Sequence, residues 1–137
     1  MLTRLDESVY VLKPKIVILL IGTTDFALLK GSTKDSIYHN ILKIVNSIHE
    51  TLPKTKIIPE SIYPIYEHEN SKVDKDSIGN QTNKQIMGTN ELLKRISNVR
   101  YVDMDFCLKD DRGDFRIDYT VEGLQANVLS MVRYSID

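Results

Sequence analysis

The run from Lys15 to Ile21 (KIVILLI) constrains the fold of this chain more than any other segment. It is rich in β-branched residues, it is apolar without interruption after the lysine, and it ends at Gly22. Such a run predicts a β-strand buried on both faces, as in the interior of a parallel sheet. Parallel strands need long crossover connections, so helices are expected between this strand and its neighbours.

A strongly amphipathic helix is predicted next, with Ser32 or Thr33 as its N-cap. Its apolar residues recur at helical spacing: Ile37, Ile41, Ile44, Val45, Ile48 and Leu52. Two further strands are predicted at Lys56–Ile62 and Val99–Phe106, and weaker helices at Thr3–Leu12, at about 74–96 and at Glu122–Ile136.

The alternation of strands and helices predicts an α/β fold. We expect a three-layer α/β/α, flavodoxin-like parallel sheet, formed by residues 1–137 as one domain. Ligands of such sheets bind outside the carboxyl ends of the strands. Chemistry is therefore expected in three loops, at residues 22–29, 61–70 and 106–127.

Composition excludes several classes of protein. The chain has 137 residues, is 42% hydrophobic and carries a net charge of -1, which gives no electrostatic footprint for nucleic acid. Cys107 is the only cysteine, so neither a disulfide framework nor a multi-cysteine zinc site is expected. The run Ile16–Ile21 is too short to span a membrane, and residues 1–6 do not resemble a signal peptide, so a cytoplasmic location is expected.

Two of the three loops carry a family resemblance. Pro14–Asp25 (PKIVILLIGTTD) resembles the block P-x-x-V-x-x-x-x-G-T-N-D of the SGNH (GDSL) hydrolases. Tyr119–Asn127 (YTVEGLQAN) resembles the closing block of that family, Y-T-x-D-G-x-H-x-N. The similarity is to the platelet-activating-factor-acetylhydrolase-like and acylhydrolase members. It implies a cofactor-free serine esterase with a flavodoxin-like sheet, acting on a small acyl ester.

The catalytic positions of that family depart from its pattern here. Gln125 stands at the position of the family's His, and a carboxamide cannot exchange a proton near neutral pH. Glu122 replaces the Asp of the closing block, and Thr24 replaces the Asn that helps to form the oxyanion hole. The family's first strand and its Gly-Asp-Ser block would precede Met1 and are not in this sequence. The resemblance therefore implies a degenerate, catalytically inactive member that lacks the N-terminal strands.

Two alternatives remain open. One is a working ester hydrolase with a non-standard site, in which His68 would serve as the base and Ser61 as the nucleophile, near Thr24 and Glu122. The other is a flavodoxin-like module that binds a small ligand in a cleft at the strand ends, with Gly22 and Asp25 among the residues lining it. A loop histidine between Glu67 and Glu69 is more often simply solvated, and an aspartate like Asp25 more often caps a turn.

Two expectations about binding complete the sequence-based picture. The aspartates at 103, 105, 110, 111 and 114 do not have the spacing of the EF-hand calcium loop, and Asp103 and Asp105 share one face of a predicted strand, so no metal site is expected. In the family, the strand Lys15–Ile21 pairs with a strand that this sequence lacks. Its edge should be bare, and an apolar bare edge favours a homodimer joined along it or an N-terminal helix that covers it.

Overall fold

A computed structural model describes residues 5–22, 32–123 and 125–126 of the chain. Its strands are β1 (Ile16–Leu19), β2 (Lys56–Pro59), β3 (Thr120–Val121) and β4 (Gln125–Ala126). Its α-helices are α1 (Lys34–Thr51), α2 (Lys75–Ile78), α3 (Asn83–Leu93) and α4 (Asp105–Leu108). A π-helical turn at Asp6–Tyr10 precedes β1, and a 3-10 turn at Ile117–Tyr119 precedes β3.

The strands β1 and β2 pair in parallel, as their apolar sequences predict, with Ile16 opposite Lys56 and Leu19 opposite Pro59. The chain has an α/β fold. The predicted third strand is reduced to a single parallel bridge between Glu60 and Val102. It stops there because Asp105 donates its backbone N–H to the Asp103 carboxylate at 3.0 Å and turns the chain into α4.

The helix α1 matches its prediction closely. Thr33 is the N-cap, and its hydroxyl accepts the backbone N–H of Ser36 at 3.1 Å. The apolar stripe on α1 is buried: Ile37, Ile41, Ile44, Val45 and Ile48. This stripe forms one core cluster with Val17 and Leu19 of β1, Ile57 of β2, and Ile86 and Leu93 of α3. Burial of this stripe holds α1 to the sheet.

The prediction that the first strand is buried on both faces is wrong for β1. Val17 and Leu19 are 8% and 2% exposed, whereas Ile16 and Ile18 on the other face are 52% and 61% exposed. Successive side chains of a strand point to opposite faces. An uninterrupted apolar run therefore cannot show whether a second layer covers the outer face.

Three predicted helices also differ from the structure. The segment 74–96 is divided, because Gly79 ends α2 at φ +64° and Thr82 caps α3 separately. The predicted closing helix does not begin at Glu122, since Glu122 and Gly123 form a left-handed turn between β3 and β4. Residues 127–136 of that prediction lie outside the described residues. The N-terminal helix is represented by the π-helical turn Asp6–Tyr10.

Candidate functional site

The segment that follows β2, residues 61–70, lies at the centre of the strand-end region and is called the central loop here. Its backbone is bonded to three other segments. The Ser61 N–H donates to the carbonyl of Val102 at 2.9 Å, and the Ile65 carbonyl accepts the N–H of Phe115 at 3.0 Å. The Tyr66 N–H donates to the carbonyl of Gly123 at 2.9 Å. The central loop, itself one of the three loops in which the sequence predicts chemistry, is therefore bonded to a second one, residues 106–127.

Two asparagines of α3 fix the path of the central loop. The Asn90 side chain accepts the N–H of Ile62 at 2.8 Å and donates to the Ile62 carbonyl at 3.0 Å. Asn83 makes the same pair of bonds with Ile65, at 2.8 and 2.9 Å. Asn83 and Asn90 are seven positions apart, which is nearly two helical turns, so both side chains lie on the same face of α3. Both asparagines are buried, so the bonds also satisfy polar groups that water does not reach.

Ser61 begins the central loop and is fully buried. Its hydroxyl oxygen accepts the backbone N–H of Met104 at 3.0 Å. Ser61 thus fastens the loop to the segment that precedes α4. Its side chain lies beneath the surface.

His68 is not simply solvated. Its Nδ1–H donates to Oδ2 of Asp114, which lies 46 positions away along the chain. The Asp114 side chain is 2% exposed, whereas that of His68 is 51% exposed. The pair therefore combines a buried carboxylate with an imidazole whose other nitrogen, Nε2, takes no part in the contact. A carboxylate that holds Nδ1 in this way is the arrangement that orients histidine bases in hydrolases.

The Asp114 carboxylate has partners besides His68. Its Oδ1 accepts the backbone N–H of Glu67 and the side-chain amide of Asn83, both at 3.3 Å. The backbone N–H of Asp114 in turn donates to the carboxylate of Asp110 at 3.0 Å. Asp114 therefore ties α3, the central loop and the predicted turn at Asp110–Gly113 together, whatever His68 does.

Glu122 has an exposed side chain, and its backbone lies in the left-handed region at φ +61°. Its carbonyl accepts the N–H of Asp74 at 3.0 Å. The next residue, Gly123, has φ +85°, and a β-carbon there would lie 3.0 Å from Cγ1 of Val73. The turn therefore packs against the segment before α2, and the side chain of Glu122 is exposed to solvent.

The remaining predicted site residues are only partly described. The backbone of Gln125 pairs with Val121 in the β3–β4 hairpin, while its side chain lies outside the described residues. Thr24 and Asp25 also lie outside them. Gly22 is described, at the end of the segment after β1, with φ +119°.

Tyr66 lies beside the His68–Asp114 pair and contacts both His68 and Arg112. The Tyr66 hydroxyl accepts an N–H of Arg112 at 2.8 Å, and the ring of Tyr66 meets the ring of His68 edge to face at 6.4 Å between centroids. The hydrogen bond to Tyr66 raises the pKa of the Arg112 guanidinium. A fixed positive charge therefore lies on this side of the central loop.

Cavities open beside these residues and also at the start of β1 and β2. A cleft of about 290 Å³ is lined by Tyr66, Glu67, Lys75, Ile78, Gly79, Gln81 and Thr82. A wider groove of about 550 Å³ follows residues 69–76, where hydrogen bonds from Ser77 and the Asp76 backbone hold the pKa of Asp74 below its usual value. A third cavity, of about 310 Å³, lies near the first residues of β1 and β2, away from the predicted site. The first is near the lower size limit of small-molecule sites.

Two absences concern only the residues that the structure describes. No three His, Cys, Asp or Glu side chains among residues 5–22, 32–123 and 125–126 are grouped as metal ligands. Within the same residues, no helix has the length and apolar character needed to cross a bilayer.

The sequence-based predictions missed Asn83 and Asn90, and they considered Asp114 only as part of a metal site that was not expected. One signal was available for the asparagines. They are polar residues seven apart on the helix face that also carries Ile86 and Leu93, and a buried polar residue usually has a specific partner. Nothing local to Asp114 indicates that it contacts His68.

Comparison with known proteins gives matches at the level of structure. No family model matches the chain, and no curated protein matches its sequence. A structure named as a platelet activating factor from Streptococcus pneumoniae is similar at a TM-score of 0.72 and 27% identity, over 88% of this chain and 59% of that one. An acylhydrolase from Bacteroides fragilis is similar at a TM-score of 0.77 and 20% identity, over 98% of this chain and 67% of that one.

A GDSL-like lipase from Bacteroides thetaiotaomicron is similar at a TM-score of 0.77 and 18% identity, over 98% of this chain and 65% of that one. The chain thus spans about three-fifths to two-thirds of the length of these structures. At such identities the acylhydrolase and lipase matches establish the fold alone.

Proposed function

We propose that this chain, whose fold is that of the GDSL-like lipases and acylhydrolases, does not carry out serine-esterase chemistry and instead binds a small acyl ester. The observation that carries the proposal is the identity of residue 125. The β3–β4 hairpin pairs Val121 with Gln125, so the described part of the closing block is folded, yet a glutamine stands where the family resemblance places its base.

The loss of the base has a large effect on rate. A serine hydroxyl is a weak nucleophile until a neighbouring base removes its proton, and Gln125 cannot accept one near neutral pH. General base catalysis contributes roughly 10²- to 10⁴-fold to rate. Because Gln125 lies within this chain, its inability to act as a base is the same whatever segment precedes Met1.

The described residues support the same proposal. Ser61 is buried and bonded to Met104, so it is not positioned as a replacement nucleophile. The Glu122 side chain is exposed on a left-handed turn. Asp114 holds Asn83 and the backbone of Glu67 in addition to His68, which gives it a structural function independent of catalysis.

The proposed ligand is a small acyl ester, as the names of the similar structures suggest. We place it at the central loop, beside the cleft of about 290 Å³ that Tyr66, Ile78 and Gln81 help to line. This cleft has room for a short acyl chain, and Tyr66 and Ile78 offer apolar contact.

Catalysis is tested by incubating the protein with a fluorophosphonate, measuring its intact mass, and following hydrolysis of p-nitrophenyl acetate. We expect no adduct and hydrolysis at the rate of buffer, while a known serine esterase treated in parallel is fully labelled. Gln125→Asn is the matched control and should behave as the unchanged protein does. A single adduct that forms on the folded protein, and does not form on protein denatured beforehand, would refute the proposed loss of serine-esterase chemistry.

Binding is tested separately by thermal unfolding with increasing p-nitrophenyl butyrate. A ligand present at a hundredfold excess over its Kd adds about 2.7 kcal/mol to the free energy of unfolding. We expect a saturable rise in Tm that Ile78→Asp abolishes and that the exposed substitution Met87→Asp leaves in place. An unchanged Tm at all concentrations would contradict the binding proposal alone.

One observation favours a second function. The His68–Asp114 pair has the form of an oriented base, so a slow hydrolase that uses His68 to activate water is the alternative. It requires hydrolysis of p-nitrophenyl acetate above the buffer rate, and this hydrolysis must fall at least tenfold in His68→Ala. Hydrolysis that is equal in the two proteins would eliminate this alternative.

A further inference from the structure

Gln81 is a buried glutamine in the short link between α2 and α3. It is 4% exposed, whereas Gly79, Asn80 and Thr82 beside it are exposed. Within the part of the chain that the structure describes, neither Nε2 nor Oε1 of its side chain has a hydrogen-bond partner, and both atoms are buried. Burying an amide without hydrogen bonds is unfavourable. Such groups are rare in proteins, so this one calls for an explanation outside the hydrogen bonds of the fold.

The backbone on both sides of Gln81 is held in place. Gly79 ends α2 with φ +64°, and its N–H donates to the carbonyl of Lys75 at 3.0 Å. Thr82 begins α3 with a capping box, in which its hydroxyl accepts the N–H of Gln85 at 3.2 Å and its own N–H donates to the Gln85 side chain at 3.1 Å. The position of Gln81 is therefore set by its neighbours, while its amide is not bonded.

Gln81 lines the cleft of about 290 Å³ beside the central loop. Among the described residues, the other polar side chains that line this cleft already have partners: Tyr66 with Arg112, Glu67 with the backbone of Asn83, Lys75 with Glu69, and Thr82 with Gln85. The hydrogen-bonding capacity that is left for a ligand is therefore concentrated in the Gln81 amide.

We propose that Gln81 determines which acyl ester the cleft accepts, and that the preferred ligand is a short 2-hydroxyacyl ester. This inference rests on the proposed function, since it concerns the same cleft and the same class of ligand. A carboxamide offers N–H donors at Nε2 and an acceptor at Oε1, side by side in one plane. A 2-hydroxyacyl ester offers the complementary pair, because its carbonyl oxygen accepts from Nε2 and its hydroxyl donates to Oε1.

An ester without the hydroxyl matches the amide less well. It has acceptors only, so it can bond to Nε2 but leaves Oε1 unpaired in a buried position. A site that hydrogen-bonds a ligand hydroxyl discriminates against the analogue that lacks it for this reason. The hydroxyl therefore adds to binding in proportion to how well it reaches Oε1.

The Gln81 amide can reach a ligand because nothing holds it. Its side chain is flexible, and turning the amide toward the cleft breaks no hydrogen bond to the described residues. Tyr66 and Ile78, which are 6% and 7% exposed, line the same cleft and give the acyl chain apolar contact. A ligand with a short chain and a hydroxyl beside its carbonyl thus meets both parts of the lining.

Isothermal titration with ethyl butyrate and with ethyl 2-hydroxybutyrate measures the preference. We expect the hydroxy ester to bind the unchanged chain at least about tenfold more tightly. Gln81→Met keeps the approximate shape of the side chain and removes its donors and its acceptor, so it should bind the two esters equally. Gln85→Met is the matched control, since Gln85 is not among the residues that line the cleft, and it should keep the preference.

Thermal unfolding without ester separates a ligand-binding function of Gln81 from a structural one. The Tm of Gln81→Met should equal or exceed that of the unchanged chain, because no internal hydrogen bond is lost. The Tm of Gln85→Met should fall, because the N–H of Thr82 loses its acceptor. A lower Tm in Gln81→Met would mean that its amide bonds within the protein, and it would overturn the proposal.

The binding results distinguish this inference from the proposed function. Equal affinity of the unchanged chain for the two esters, or a preference that survives in Gln81→Met, would overturn the selection by Gln81 and leave ester binding standing. If neither ester binds, the proposed function fails and this inference fails with it. The comparison of the two esters on the unchanged chain needs no variant, so it decides even where Gln81→Met does not fold.

Discussion

Gly22 packs directly against Ile62. A β-carbon built on Gly22 would lie 2.7 Å from Cδ1 of Ile62, closer than side-chain atoms approach each other in proteins. The φ angle of Gly22 is +119°, which also favours glycine. The end of the segment after β1 therefore packs tightly against the beginning of the central loop, where Gly22 contacts Ile62.

Replacing Gly22 by Ala should destabilise the fold by about 2–4 kcal/mol, from backbone strain together with the clash at Ile62. Ile62→Val removes Cδ1 and alone should cost about 0.5–1.5 kcal/mol. Because the double variant relieves part of the clash, its destabilisation in urea should be smaller than the sum of the two. Gly113→Ala is the control for backbone strain without a clash, since Gly113 has φ +86° and a β-carbon there meets no atom within 4 Å. Strict additivity would contradict the proposed contact.

Asn90→Ala should destabilise the protein by about 2–4 kcal/mol, because it leaves the N–H and C=O groups of Ile62 without partners in a buried position. Urea unfolding measures the change. The exposed substitution Asn80→Ala should alter stability by no more than about 0.5 kcal/mol. Similar losses in the two variants would show that Asn90 does not hold the loop.

Asp114→Ala should cost more stability than His68→Ala. The first removes the acceptor of the Asn83 amide and of the Glu67 N–H and should cost about 2–4 kcal/mol. The second removes only a half-exposed ring and should cost about 1 kcal/mol or less. Thermal unfolding near neutral pH compares them. Equal losses would mean that the contact with His68 is the main function of the carboxylate.

Tyr101 should make stability fall in alkali. Burial and the nearby carboxylate of Asp103 raise the pKa of its phenol above the usual value of 10.0, so the folded state keeps a proton that the unfolded state loses. This contribution is complete below about pH 10 and declines as the pH rises further. Between about pH 9 and about pH 11, urea unfolding should show a larger loss for the unchanged chain than for Tyr101→Phe. Tyr38→Phe, the control, should resemble the unchanged chain.

The sequence predicts those parts of the fold that have a local cause. The cap at Thr33 and the stripe from Ile37 to Ile48 define α1, and the apolar runs define β1 and β2. The open face at Ile16 and Ile18 could not be predicted, because an apolar run has the same composition whether or not a second layer covers it.

The site is less predictable because its contacts span long distances along the chain. His68 and Asp114 are 46 positions apart, and the bonds between Asn90 and Ile62 span 28 positions. The apolar spacing after Glu122 predicts a helix that begins at that residue, yet Gly123 takes φ +85° and its carbonyl accepts the N–H of Tyr66. The tertiary hydrogen bond outweighs the local propensity there.

The two asparagines of α3 have a consequence for how this region can change. They hold the main chain at Ile62 and Ile65, so the course of the loop depends on backbone amides that every residue except proline supplies. Exposed side chains of the loop that bond only to other exposed side chains, as Glu69 bonds to Lys75, can be exchanged without altering that course. A library randomised at those positions should therefore be rich in folded members, and new ligand specificities could be selected from it on a backbone that stays in place.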